Sequence, residues 1–88
     1  MTVTADTDLT TLTVDQINWL LEEGSYDIEV DWCEYVQVNA SNEHQYNVTY
    51  NSSRAGEYVS NHAFVHIDEQ GDPVLIINDM DIQPSLFD

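Results

Sequence analysis

The feature that most constrains the fold is an alternation of apolar and acidic residues in the segment SYDIEVDW, residues 25–32. Successive side chains of an extended strand point to opposite faces, so a period of two sorts this segment into two sets. The apolar set, which we expect to face a core, is Tyr26, Ile28, Val30 and Trp32. The acidic set, which we expect to face away from it, is Asp27, Glu29 and Asp31. The alternation predicts a strand with one face in the core and one face lined by carboxylates.

The even parity of the apolar residues continues in Val36, Val38 and Ala40, and this predicts that they also face the core. Glu34 interrupts the pattern. An acidic residue at a core-facing position is typical of a bulge, a bend or a tight turn, which we expect at residues 33–34.

Two further segments alternate with period two. Residues 46–50 read as a second strand that follows a turn at 41–43. Residues 57–67 read as a third strand with an irregularity, because the apolar parity changes between Tyr58 and Ala63.

A short apolar run, residues 74–77, follows a strong turn signal at 68–73. A run of this length predicts a strand that is buried on both faces or lies beneath a helix.

The first regular element is a helix that begins after Thr13. Thr13 and Gln16 have the spacing of a capping box, and Gly24 is placed for a left-handed cap at the C-terminal end. One helical stripe contains Val14, Ile17, Leu20 and Leu21. The order of elements predicts an α+β fold, with one N-terminal helix followed by a mostly antiparallel sheet of three to five strands.

The 88 residues are enough for one domain. We expect residues 1–12 to form a flexible N-terminal arm, anchored at most by Leu9 and Leu12. Residues 13–78 then form the single α+β domain, and residues 79–88 form an acidic C-terminal tail.

The charge balance restricts the function. The sequence contains seventeen Asp and Glu residues but only one basic residue of the Lys/Arg type, Arg54, so its formal net charge is −16. Direct binding to nucleic acid requires Lys and Arg, so the composition excludes it. Self-repulsion of this size needs high salt, a bound cation or a basic partner. A protein that binds nucleic acid through basic residues is the partner that such a chain fits.

No catalytic, metal-binding or cofactor-binding site is predicted. Cys33 is the one cysteine, so no disulfide framework is expected, and the absence of a signal-peptide pattern favours the cytoplasm of a host cell without a membrane anchor. His44, His62 and His66 lie in strand-like segments, where residues four apart are about 13 Å from each other. We expect these histidines to be surface or packing residues, and we expect that the chain is not an enzyme.

Asp27, Glu29 and Asp31 are the candidate partner-binding residues. Alternate side chains on a strand repeat at about 6.6 to 6.8 Å, which is comparable to the step between phosphates along one nucleic-acid strand. The track is extended by Glu22, Glu23 and Glu34, with Trp19 as an aromatic anchor beside it. The alternative is that these acids form the solvated face of an ordinary antiparallel sheet.

In size, charge and this carboxylate-lined segment, the chain resembles the small acidic DNA-mimic inhibitors of phages and mobile elements. These include anti-CRISPR proteins, antirestriction proteins and inhibitors of uracil-DNA glycosylase. The resemblance implies an inhibitor that occupies the basic nucleic-acid groove of a defence protein or nuclease, with a CRISPR effector as the first-choice target. Adaptation to high salt is a competing explanation of the acidity.

The segment QPSLF, residues 83–87, resembles the pentapeptide with which bacterial polymerases and repair factors bind the sliding clamp. The resemblance implies that Gln83, Leu86 and Phe87 are the anchors. The alternative function is therefore a phage or plasmid replication or host-takeover accessory protein that docks on the clamp.

Overall fold

The chain folds as one helix followed by a four-stranded sheet. The computed structural model describes residues 2–52 and 57–77. The elements are α1 (Val14–Glu23), β1 (Val30–Val38), β2 (His44–Ser52), β3 (Glu57–Ile67) and β4 (Pro73–Ile77). Each strand pairs antiparallel with the next, in the order β1-β2-β3-β4. The predicted α+β class, with a single early helix and an antiparallel sheet, is confirmed.

The N-terminal end of α1 has the predicted capping box. The Gln16 amide N–H donates to the Thr13 hydroxyl over 3.2 Å, and the Thr13 amide N–H donates to the Gln16 side chain over 2.8 Å. These bonds satisfy donors that a helix start leaves free. From the predicted stripe, Ile17, Leu20 and Leu21 are buried.

The C-terminal end of α1 differs from the prediction by one residue. Gly24 has φ −87°, and it is Ser25 that adopts the left-handed conformation, with φ 65°. The Tyr26 amide donates to the Leu21 carbonyl and the Ser25 amide to the Glu22 carbonyl, which is the bonding pattern of a Schellman motif. Gly24 instead gives room to the Tyr26 ring, which would lie 3.2 Å from a Cβ at position 24.

The first strand begins at Val30, four residues later than predicted. Its pairing with β2 shifts between Val30 and Trp32, so Asp31 is an extra residue in the ladder. This bulge reverses the parity of the strand. Cys33 and Tyr35 then pack against the core, whereas Trp32 is 46% exposed.

The predicted inward position of Val36 is wrong, because Val36 has no partner in the ladder and is exposed. Val38 pairs with His44 on the face of the buried Val65, but its side chain is exposed and not part of the core. The predicted irregularity at residues 33–34 is also misplaced. The second shift in the β1–β2 pairing lies between Tyr35 and Gln37.

The third strand is regular, contrary to the prediction. Its pairing with β2 runs without a shift from Ser52↔Glu57 to His44↔Val65. Tyr58 does not share the inward face of Ala63, and its side chain is 65% exposed. The apparent change of parity arose because an aromatic residue lies on the solvent side.

The fourth strand is buried on one face. Leu75 and Ile77 are buried, while Ile76 is 40% exposed. β4 is an edge strand that begins with Pro73, a position at which the missing N–H is tolerated.

Three residues of the N-terminal segment belong to the core. Leu9 and Leu12 are buried as anchors, and Val3, which the sequence did not predict as core, is buried with them. The hydroxyl of the buried Tyr46 donates to the Leu9 carbonyl over 2.6 Å and accepts from the Leu12 amide over 2.9 Å. These bonds hold Leu9 and Leu12 against the sheet, whereas most other residues of this segment are exposed.

Candidate functional site: an acidic groove

Four carboxylates converge on one open groove of about 870 Å³. We call it the acidic groove. Its carboxylates are Glu22, Asp27, Glu29 and Asp31, and its other lining residues are Asn18, Ser25, Tyr26, Ile28, Asn51 and Tyr58. The lining contains no basic residue, and the chain's single Arg54 lies outside the described residues. The groove is therefore a concave surface whose formal charges are all negative.

The predicted alternation holds in side-chain exposure, although residues 26–29 are not part of the strand. Tyr26 and Ile28 are half-buried against the core, and Val30 is buried. The acidic residues that alternate with them, Asp27, Glu29 and Asp31, are all exposed. The apolar residues thus hold this segment on the core and turn its carboxylates toward solvent.

Asn18 connects α1 to the start of β1. Its side-chain amide donates to the Val30 carbonyl over 3.0 Å, and its side-chain oxygen accepts from the Val30 amide over 2.7 Å. The carboxamide carries one acceptor and a donor group, so it pairs with both polar groups of one backbone residue as a neighbouring strand would. This contact fixes the strand end, where the bulge residue Asp31 follows, against the helix that carries Glu22.

Tyr26 holds the other end of the acidic segment. Its backbone amide is bonded to the end of α1, and its hydroxyl accepts from the Ile77 amide on β4 over 3.4 Å. Tyr26 is therefore bonded to both α1 and β4, and residues 27–29 lead from it to the start of β1. This explains why the predicted strand starts only at Val30.

Tyr58 adds a hydroxyl to the groove. The hydrogen bond that its hydroxyl donates to the Asp31 carboxylate raises the pKa of Tyr58, and the negative charge of Asp31 adds to this effect. A phenol beside carboxylates supplies both a flat apolar ring and a polar end for a ligand side chain.

The remaining predicted site residues lie elsewhere. Trp19 and Glu23 line a second cavity of about 520 Å³, together with Val3 of the N-terminal segment and Pro73. Trp19 is half-buried and packs against the core. The structure thus separates this aromatic residue from the acidic groove.

Glu34 is also separate from the groove. It pairs with Asn47 of β2 in the middle of the sheet, on the side away from α1. The bulge at Asp31 is the reason, because it places later residues of β1 on faces opposite to those that the alternation predicts.

Tyr58 and Asn18 line the groove, and the sequence did not predict either of them there. Tyr58 reaches the groove through strand pairing, since it lies opposite Asn51 at the end of the sheet. The sequence signal for Tyr58 was its parity, which differs from that of Ala63 and places an aromatic side chain on the opposite face of the strand. For Asn18, a polar residue next to the apolar stripe of a helix was the signal, but its partner is set by the tertiary structure.

His44 and Cys33 each make a hydrogen bond within the fold. Nδ1 of His44 is hydrogen-bonded to the Tyr35 hydroxyl over 3.1 Å. The Cys33 thiol donates to the Leu12 carbonyl over 3.7 Å, and burial raises the pKa of this thiol. A raised pKa lowers the thiolate fraction on which nucleophilic reactivity depends.

Within residues 2–52 and 57–77, no cluster of three or more His, Cys, Asp or Glu side chains has a geometry that would hold a metal ion. The helix in this part of the chain is too short and too polar to cross a membrane. Gln83, Leu86 and Phe87, on which the clamp-docking prediction rests, lie outside the described residues.

No protein-family model, curated protein or solved structure matches the chain. The fold and the acidic groove are therefore the basis for a functional proposal.

Proposed function

We propose that the protein is an inhibitor that binds the basic nucleic-acid groove of a host defence nucleoprotein or nuclease, with a CRISPR effector as the first target to test. The observation that carries the proposal is the acidic groove, where Glu22, Asp27, Glu29 and Asp31 meet without a basic residue among the lining. The net charge of −16 supports it, because a basic partner offsets the self-repulsion of such a chain.

The mechanism is competitive. Carboxylates of the acidic groove pair with the Lys and Arg side chains that otherwise contact phosphates, and these bonds are charge-assisted. Asn18 and Tyr26 hold the acidic segment in place before binding, so less conformational entropy is lost when the partner docks. Opposite charge also steers the two proteins together, which raises the association rate at low salt.

The first experiment identifies the target. The protein is immobilised, incubated with lysate of a bacterial host at low salt, eluted with rising salt, and the eluate is read by mass spectrometry. We expect a nucleic-acid-binding enzyme to elute as salt rises from about 0.1 M to about 1 M, because the Debye length then shrinks from about 10 Å to about 3 Å. The purified target should lose binding to its DNA or RNA when the protein is added.

The decisive variant is Asp27→Asn, Glu29→Gln, Asp31→Asn. Each charged hydrogen bond contributes about 1.5 to 3 kcal/mol, so neutralising three of them should weaken binding to the target by about a hundredfold or more. The measurement is titration calorimetry with the purified target. Unchanged affinity in this variant, or affinity that does not depend on salt, would refute groove mimicry.

The matched control removes three charges that do not line the acidic groove. Asp6→Asn, Asp15→Asn, Glu69→Gln changes the net charge by the same amount at exposed positions that do not line the groove. We expect at most a few-fold loss of affinity from this control. An equal loss in both variants would mean that overall charge, and not the acidic groove, determines binding.

Two other functions predict different results. A domain that is acidic only through adaptation to high salt unfolds when salt is removed, which circular dichroism measures directly. An accessory protein of the sliding clamp binds the purified clamp and loses that binding when residues 83–88 are deleted. Groove mimicry predicts that this deletion leaves binding to the target intact.

A further inference from the structure

A small cavity of about 250 Å³ lies on the outer face of the sheet, which α1 does not cover. We call it the outer pocket. The core residues of β2 lie on the opposite, inner face together with the buried residues of the helix. The pocket spans β1, β2 and β3, and its lining residues are Trp32, Asn47, Val48, Ser60, Asn61 and His62. Val48 and Asn61 alternate onto the inner face, so the other four residues supply the side chains of the pocket.

Trp32 gives the outer pocket a flat wall. Its indole is 46% exposed, and its cross-strand partner is the polar Thr49, which in turn pairs with Ser60. The other side chains of the lining are a carboxamide, a hydroxyl and an imidazole. An aromatic wall among polar groups fits a flat, polar group that stacks on the ring, and it fits an aliphatic side chain poorly.

Asn47 contributes an acceptor that the fold leaves unused. Within the described residues, its Oδ1 atom is shielded from solvent and has no hydrogen-bond partner. Buried polar atoms are nearly always bonded, so an unpaired one calls for an explanation. The terminal torsion of an Asn side chain has a broad range, so a rotation can turn this oxygen toward the pocket. An N–H donor bound in the pocket would then satisfy it.

Glu34 supplies the charge. It pairs with Asn47 across β1 and β2, and Asn47 pairs with His62 of β3. The Cβ atoms of such partners lie about 4.5 to 5.5 Å apart on one face, so the exposed Glu34 carboxylate stands at the rim of the pocket. The described part of the chain contains no Lys or Arg that could pair with it. The outer pocket therefore combines a flat ring, an unbonded acceptor and a negative charge.

We propose that the outer pocket binds the guanidinium group of an arginine side chain of the target protein. Guanidinium is planar and stacks on an indole, and its five N–H groups form a fixed fork that can reach the Asn47 oxygen and the Glu34 carboxylate together. A Lys ammonium is a strongly hydrated point charge without a plane to stack. A nucleobase can stack, but it arrives with phosphates, which a chain of net charge −16 repels.

The outer pocket adjoins the acidic groove, so the target is the expected source of the arginine. Asp31 lines the groove, and the next residue, Trp32, lines the pocket. On β3, Tyr58 lines the groove, and Ser60 follows it on the same face after about 6.8 Å. A basic surface that covers the groove therefore reaches the pocket. The identity of the partner rests on the proposed function, whereas the preference for arginine follows from the pocket itself.

The first test uses no target. The isotope-labelled full chain is titrated with the peptide acetyl-Gly-Arg-Gly-amide, and separately with its Lys counterpart, while NMR records the indole N–H signals. The Trp32 signal is assigned by its loss in Trp32→Phe. Trp19, which lies in the cavity with Glu23, is the internal control.

We expect a saturable shift of the Trp32 signal. The dissociation constant should be on the order of 1 to 10 mM for the Arg peptide and at least about threefold higher for the Lys peptide. No saturable shift of Trp32, or equal affinity for the two peptides, would overturn the proposal. Equal shifts of Trp32 and Trp19 would also overturn it, because they would indicate non-specific attraction to an acidic chain.

Variants separate the ring from the charge. Glu34→Gln should weaken binding of the Arg peptide about threefold or more. Its matched control, Glu69→Gln, removes the same charge at an exposed position outside the pocket and should change the affinity less than about twofold. Trp32→Ala should abolish the response of the Asn47 side-chain amide signal to the peptide. Equal effects of the two Glu variants would refute the assignment of Glu34 to the pocket.

The second test uses the purified target. Trp32→Ala should weaken its binding about tenfold or more, with the salt dependence unchanged because no charge is lost. Val36→Ala is the control, since Val36 is 42% exposed on the same strand but does not line the pocket, and it should change the affinity less than about twofold. Circular dichroism confirms that both variants fold. Equal losses in both would refute a contact between the outer pocket and the target.

The two proposals fail separately. If the Arg peptide binds the outer pocket but Asp27→Asn, Glu29→Gln, Asp31→Asn keeps full affinity for the target, groove mimicry is refuted and the pocket stands. If this triple variant loses affinity but the Trp32 indole does not respond to the Arg peptide, the acidic groove stands and the outer pocket is refuted.

Discussion

The Tyr46 hydroxyl gives the sharpest test of what holds the N-terminal segment in the core. Tyr46→Phe removes one oxygen atom and keeps the ring, including its edge-on contact with Tyr35 at 5.3 Å between ring centroids. The removed hydroxyl donates to the Leu9 carbonyl and accepts from the Leu12 amide. The substitution therefore leaves two backbone groups without their partner beneath a nearly completely buried ring.

The expected cost is large for a domain of this size. Each hydrogen bond contributes about 1 kcal/mol net, and an unsatisfied buried group costs about 1 to 3 kcal/mol. We expect a loss of about 2 to 4 kcal/mol in the free energy of unfolding. Domains of this length have a total stability of about 4 to 13 kcal/mol, so the variant loses a substantial share of it.

Urea unfolding followed by circular dichroism measures this loss. For a small protein with a slope of about 2 kcal/mol per molar urea, the midpoint should fall by about 1 to 2 M. Tyr35→Phe is the control, since its hydroxyl makes one bond, to His44, in a half-buried position. The control should lose less than about 1 kcal/mol. A loss of less than about 0.5 kcal/mol in Tyr46→Phe would refute the reasoning.

The same hydroxyl predicts a pH dependence. Burial raises the pKa of Tyr46 from 10.0 to about 12. Because the folded pKa lies above the unfolded one, the stabilisation is complete below about pH 10 and is lost as the pH rises to about 12. Two pKa units correspond to about 3 kcal/mol. The difference in stability between wild type and Tyr46→Phe should therefore shrink across this window, and a constant difference would contradict the assignment.

Two further substitutions test the structure that supports the acidic groove. Asn18→Ala removes both bonds to Val30 and should lower the free energy of unfolding by about 1 to 3 kcal/mol. Amide hydrogen exchange at the start of β1 should become faster. Unchanged exchange there would show that Asn18 does not fix the strand end. Ser25→Gly should raise the free energy of unfolding by about 0.5 to 1 kcal/mol, and with it the urea midpoint, because Ser25 adopts φ 65°. Gly24→Ala should lower the midpoint, because the added Cβ would press on the Tyr26 ring. The opposite order of these two midpoints would contradict the assigned cap.

The acidic groove was partly predictable. The alternation around Asp27, Glu29 and Asp31 predicts that these side chains point to solvent, and their exposure agrees with it. The contribution of Tyr58 was not predictable, because it depends on which strand ends meet. The separation of Glu34 was not predictable either, since it follows from one extra residue in a ladder whose partner is distant in sequence.

The sequence by itself determined the elements whose signals are local. The capping box at Thr13, the apolar stripe of α1 and the period of two in β2 each depend on neighbours within a few residues, and the composition alone sets the charge of −16. Only the tertiary structure decided where β1 begins, which face Trp32 occupies and that Val3 is core. These depend on a bulge and on hydrogen bonds between distant residues, such as Asn18 with Val30, whose free energy exists only once the chain has folded.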